Sequence, residues 1–275
     1  MPDFLRATRD KDRPLAEMAF HLFDLASYEF VYLLSPSRRD LFFNSGFLPL
    51  DASFRALPQM RHEAHAAMMY HFVAARHPEG LMPDPRRILD VGCGQGGGLL
   101  YMSALYPRAA LAGTERSLAA RRLARRNLAG AGAGGARITS ARHPPDGPFD
   151  LIVGVGTPTY LGLSAFVAAW APRLAGGGVI SVSGGYRHGD HAAIRAELDG
   201  AARGAGLALK RYTDITANTF AALQADIPRR EAAIARLPRV FRRFGRRWAD
   251  LPGSPEYEEY RSGRRADFAA VLVGE

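Results

Sequence analysis

Apolar positions recur at three-to-four spacing in two stretches before residue 80, LAEMAFHLFDLASYEFVYLL (15–34) and ASFRALPQMRHEAHAAMMYHFVAA (52–75). That period predicts helices from about Pro14 to Pro78. Between them DLFFNSGFLPLD (40–51) is a short aromatic segment with an Asn-Ser-Gly turn, so the region reads as a helical cap outside any sheet. Two prolines in GLMPDPRR then end the helical pattern. Beyond them strand and helix patterns alternate, which specifies a parallel sheet. RILDVG, AALAGTE, ARITS, FDLIVGVG, GGGVISVSGG and LALKRYTDIT are the expected strands one to six, and DFAAVLVGE is the last. Helices are expected over GGLLYMSALYP, SLAARRLARRNLAG (Ser117 its N-cap), LSAFVAAWAPRLA and HAAIRAELDGAARGAG. Residues 217–265 interrupt this alternation and are helical in pattern over their first two thirds, as a lid or substrate wall would be. The resulting division is a cap over 1–80, an α/β core over 81–216, a lid over 217–265 and a final core strand over 266–275.

Composition narrows the class. With 275 residues, 47% apolar and 23% charged, the chain suits one large α/β domain with an appendage. Its apolar runs are too short for a membrane span, and the first residues lack a signal-type core, so a cytoplasmic location is expected. The net charge is +9, and all but Lys11 and Lys210 of the 36 basic residues are arginine. Such a surface favours anionic partners. Cys93 is the only cysteine, which excludes an intrachain disulfide and a thiolate-rich metal site. Within a glycine loop it reads as a small apolar turn residue.

That loop, RRILDVGCGQGGGLL, carries the chemistry. Gly92, Gly94 and Gly97 match G-x-G-x-x-G, open to a tight turn, a pyrophosphate cradle or another nucleotide-like cofactor. Asp90, two residues before the first glycine, repels a pyrophosphate and attracts an ammonium group. Glu115 ends strand two about 20 residues on, where an acid accepts ribose hydroxyls. An amino group, an adenosine and no phosphate together describe S-adenosylmethionine.

ILDVGCGQGGGLLYM together with LAGTERS resembles the class I S-adenosylmethionine-dependent methyltransferases, over residues 87 to 268. LFFNSGF, MYHFVA, GQGGG and YRSGRRADF are similar to the small-molecule branch that includes the phthiotriol/phenolphthiocerol dimycocerosate methyltransferases. The resemblance implies a Rossmann-like sheet ordered 3-2-1-4-5-7-6 with the last strand antiparallel. It implies that Asp90, Gly92 and Gly94 hold the methionine end, with Gln95 and Gly96 closing the loop beneath it. Glu115 would bind the ribose, Arg116 would flank the adenine, and Tyr70 would touch the cofactor carboxylate. Ser140 stands where the family usually has an Asp beside the adenine.

The acceptor side is less defined. VGVGTPTYLG after strand four offers Thr157, Thr159 and Tyr160 but no histidine, so the candidate bases are His188 and His191 after strand five, and His71 beside Tyr70. His62 and His65 in HEAH lack the H-E-x-x-H spacing, and no metal is expected. RVFRRFGRRW (239–248) combines aromatic and cationic residues that could grip a phosphate or an acidic substrate. Strand four does not end in the Asn/Asp-Pro-Pro-aromatic motif of nucleic-acid amine methylation, which disfavours nucleic acid as partner. The expectation is methyl transfer to a small-molecule or lipid-like secondary metabolite, O-methylation leading. C- or N-methylation, including that of a prenyl diphosphate carbon, is the alternative, and a non-catalytic cofactor- or nucleic-acid-binding module the third. A homodimer is left open as the assembly.

Overall fold

The computed structural model describes residues 29–33, 40–82, 84–187 and 189–274. Seven strands form one sheet: β1 (Arg87–Val91), β2 (Ala110–Glu115), β3 (Arg137–Ser140), β4 (Phe149–Val155), β5 (Leu174–Arg187), β6 (Leu207–Asp214) and β7 (Arg265–Gly274). Their order is β3-β2-β1-β4-β5-β7-β6, and β7 alone runs antiparallel to its neighbours. Both the order and the direction agree with the expectation.

The strands read as continuous apolar runs because helices cover both faces. On one face Ile88, Leu151, Val153 and Val179 pack with α1 (Ala64–His71), α2 (Gly97–Leu105) and α3 (Leu118–Gly130). On the other Leu89, Val91, Ile152 and Ile180 pack against α5 (Leu163–Trp170) and α6 (His191–Gly204), with the short α4 (Thr157–Leu161) following β4. In β7 the same period of two sends Ala269 and Val271 to the first core and Ala270 and Leu272 to the second.

The insertion holds three helices joined by turns, α7 (Thr216–Ala235), α8 (Arg239–Trp248) and α9 (Pro255–Arg261). Strand β6 is parallel to β1, and β7 runs back, so the insertion leaves and rejoins the sheet at the edge where β1 ends. Ligands of open α/β sheets bind at that edge.

The helical reading before residue 78 needs correction. Residues 52–57 are not helical; the chain enters a 3-10 turn only at Pro58–Glu63, continues into α1 and closes in a π-helical turn at Phe72–Arg76. Leu57, preceding a proline, is extended (ψ 150°), as proline sterics require. Asp51 moreover accepts the Ser53 amide at 2.7 Å, a local turn that competes with helix. Of the first predicted helix, only residues 29–33 are described, and they are helical. The Asn-Ser-Gly turn is present: Gly46, at φ +84°, donates its amide to Asn44 Oδ1. The last strand begins one residue inside the predicted insertion limits, at Arg265, and α7 begins one residue before them, at Thr216. Among the described residues no helix is long and apolar enough to cross a membrane.

Candidate cofactor site

The loop between β1 and α2 is built from backbone hydrogen bonds outward. Gly92 N and Cys93 N both donate to Thr114 O (2.8 and 3.0 Å), which ties the loop to β2. Gly92 has φ +77°, and a Cβ there would overlap the Thr157 hydroxyl, so no other residue fits. Thr157 Oγ1 donates to Val91 O at 2.7 Å and fixes the start of α4 beside the loop. Cys93 is buried, with its Sγ against Gly113, and burial pushes its thiol well above its usual range. It is the small packed residue expected, without nucleophilic character.

Glu115 spans the loop from the end of β2. Its Oε2 accepts the Gly94 amide at 3.0 Å and its Oε1 the Ser117 amide at 2.8 Å. Burial raises its pKa, and these amides partly offset the rise. Each oxygen retains a lone pair for a further donor.

Asp90 is fully buried, and among the described residues neither of its carboxylate oxygens has a hydrogen-bond partner. Burial pushes its pKa up to about 7, and Glu115 adds to the rise. The Tyr70 hydroxyl faces it, short of hydrogen-bond geometry, and offsets part of the rise. Tyr70 reaches this place because Gly98, on α2, has no side chain: a Cβ there would enter the Tyr70 ring. Gln95 Nε2 and Thr114 Oγ1 are likewise buried without partners. Three residues with unsatisfied polar atoms around one glycine loop are unusual in a folded interior, where such atoms are nearly always paired. Gly96, at φ +87°, ends the loop and begins α2.

Ser140 pairs in register with Glu115 and accepts the Arg142 amide at 3.2 Å, while Arg116 is exposed at the rim. Sequence reasoning missed the segment above the loop. The Tyr32 hydroxyl lies 3.2 Å from where a Gly94 Cβ would stand, and burial with nearby Glu115 drives its pKa well above 10. Glu29 accepts the Leu118 and Ala119 amides (2.5 and 3.0 Å) at the first turn of α3. Phe30 packs edge-on against Phe241 and Phe244 of α8, at 5.2 and 5.9 Å. The helical period exposed the element but carried no signal of what it covers.

Two of the three candidate bases, His191 and His71, are held in hydrogen-bonded clusters. His191 bonds Tyr212 Oη at 2.8 Å and lies 3.0 Å from Asp214 Oδ1, both on β6. That strand is four places from β1, roughly 19 Å at sheet spacing. His71 sits in a cluster of its own, its ring nitrogens engaged by Tyr101 (2.8 Å) and Ser53 (3.0 Å), and burial lowers its pKa. His188 lies outside the described residues. Asp40, His62 and Glu63 bring three donor atoms within 4.8 Å of one another. The Arg229 guanidinium, 3.4 and 3.5 Å from the two carboxylates, already supplies the positive charge there.

No family model matches the chain. Two curated relatives, the trans-aconitate 2-methyltransferases of Streptomyces coelicolor and Streptomyces avermitilis, are 33% and 34% identical. The matches cover 51% and 52% of this chain and 48% and 55% of theirs, so the chain spans about half the length of the curated relatives it matches. Among solved structures, geranyl diphosphate C-methyltransferase from Streptomyces coelicolor superimposes with a TM-score of 0.61 at 15% identity, over 90% of this chain and 98% of that one. The fold is therefore the Rossmann-like seven-stranded fold of the methyltransferases.

Proposed function

We propose that the chain is an S-adenosylmethionine-dependent methyltransferase acting on an oxygen of a small-molecule acceptor. The observation that carries this reading is the buried, unpartnered carboxylate of Asp90 at the carboxyl end of β1. A charge in that place has a large desolvation cost unless a cation arrives, and a pyrophosphate would worsen it. The donor's ammonium fits; Gln95 Nε2 and Thr114 Oγ1 meet its other polar groups, and Glu115 takes the ribose hydroxyls. When bound, S-adenosylmethionine supplies an electrophilic methyl group on a sulfonium. The chain's part is to hold donor and acceptor in line and to exclude water, which Tyr32 and Tyr70 do above the loop.

The segment after β4 offers hydroxyls and no imidazole or carboxylate, which suits an acceptor that is already a nucleophile. A carboxylate oxygen is ionised at neutral pH and needs no base. Its lone pair forms the bond to the methyl carbon as the carbon–sulfur bond breaks, and the electron pair returns to sulfur. The trans-aconitate relatives and the excess of arginine support an acidic acceptor. We take residues 1–80 and 217–265 as the walls of the acceptor pocket. A lipid-like acceptor, as in the phthiotriol branch, is the second reading; exposed Leu33, Phe43, Tyr160 and Leu161 favour it.

Calorimetry with S-adenosylhomocysteine tests the site. Asp90→Ala is expected to weaken binding at least about 100-fold, as loss of a desolvated charge pair of ~3 kcal/mol would. Unchanged affinity in a folded variant would sink the assignment. Release of S-adenosylhomocysteine with carboxylic acids, phenols and prenyl diphosphates as acceptors then separates the readings.

A further inference from the structure

Helix α8 is amphipathic. Phe241, Phe244 and Trp248 share one side, and Phe30 packs on the first two. Arg243, Arg246 and Arg247 lie three and four residues apart on the other side, where they line a cavity of about 320 Å³. Its far wall is the turn from Leu251 to Pro255, and no carboxylate lines it. Elsewhere in the insertion Arg229 and Arg230 both reach Asp226, at 2.6 and 2.9 Å. Arg246 has Glu231 at 2.7 Å, but Arg243 and Arg247 have no carboxylate partner among the described residues. Two like charges four residues apart on one helix repel. A concave wall with two guanidinium groups free of carboxylates has the geometry that grips oxyanions by paired N–H donors.

We propose that this cavity binds a compact oxyanion of two or more charges and anchors the anionic end of the acceptor. The insertion that carries it starts and ends at the sheet edge where β1 terminates, and Phe30 joins α8 to the segment whose Tyr32 lies over Gly94. The anchoring role rests on the methyltransferase reading; the anion site itself does not. Diphosphate and polycarboxylate groups share the required chemistry.

Sodium pyrophosphate and sodium citrate are the probes, titrated separately at 150 mM salt and followed by Trp248 fluorescence and calorimetry. At least one is expected to bind saturably, and the one that binds more tightly identifies the anion's source. The double variant Arg243→Ala/Arg247→Ala should weaken it tenfold or more, whereas Arg239→Ala, on the same helix but outside the cavity wall, should leave it unchanged. Absence of saturable binding by both probes, or equal weakening in the Arg239 control, overturns the site. S-adenosylhomocysteine is titrated in parallel. Anion binding without it leaves the site standing and removes the anchoring role; the reverse removes the site and leaves the methyltransferase reading.

Discussion

Asp90 shows how one residue can serve binding against stability. In the ligand-free protein its buried carboxyl holds its proton up to about pH 7, whereas the bound ammonium requires the ionised form. Cofactor binding therefore releases a proton below that pH, and affinity rises with pH through 7. S-adenosylhomocysteine is expected to bind about tenfold more weakly at pH 6 than at pH 8, from the ionised fractions alone. Calorimetry across that range in buffers of different ionisation enthalpy checks both the affinity and the released proton. A flat profile would mean that Asp90 is ionised throughout. Tyr70 and Gly98 belong to the same account, since the aromatic ring can face Asp90 only where α2 lacks a side chain.

Among the elements, α3 carries two independent caps at its first turn. Ser117 Oγ accepts the Ala120 amide at 3.0 Å, and Glu29 accepts the Leu118 and Ala119 amides. Orphan amides at a helix start are thereby satisfied from inside and outside the helix. Ser117→Ala is expected to cost about 1 kcal/mol in urea unfolding, the usual value of a serine cap. A loss below a few tenths would show that Glu29 takes over the amide. The segment at 29–33 thus touches three elements at once: α3 through Glu29, α8 through Phe30 and the cofactor loop through Tyr32.

For the whole molecule, acids of opposite tendency set the pH range of stability. Burial raises Asp90 and Glu63 to about 7 and Asp250 to about 6, while Asp51 is lowered to about 2, chiefly by Ser53, and Asp226 is lowered by Arg229 and Arg230. A raised acid contributes stability that is present below its unfolded value near 4 and lost as pH rises through its folded value. A lowered acid contributes stability that is lost as pH falls below 4. The ligand-free protein is therefore expected to have its highest Tm near pH 5 and to lose several degrees by pH 8. Glu63→Gln, which keeps an acceptor for the Leu41 amide, should shrink that loss. Calorimetric scans from pH 4 to 8 decide it, and a Tm that climbs steadily to pH 8 would refute the assignment of these groups.

What the sequence determined by itself was everything local. The period of the apolar positions marked the strands, the long interruption before the last one and the Ser117 cap. The chemistry of Asp90 and Glu115 carried the expectation of a cationic, ribose-bearing ligand, on which the proposed function rests. The tertiary structure decided what meets across the chain: Tyr32 above Gly94, Tyr70 against Asp90, His191 against the far strand β6, and three arginines turned toward the 251–255 turn. The helix start at Pro58 lay between these, since the proline was visible but the Asp51 turn that keeps 52–57 from helix was not. The physical reason is range. Backbone preference and side-chain chemistry act within a few residues, whereas burial, which unpairs Asp90 and raises its pKa, exists only once segments distant in the chain have closed around it.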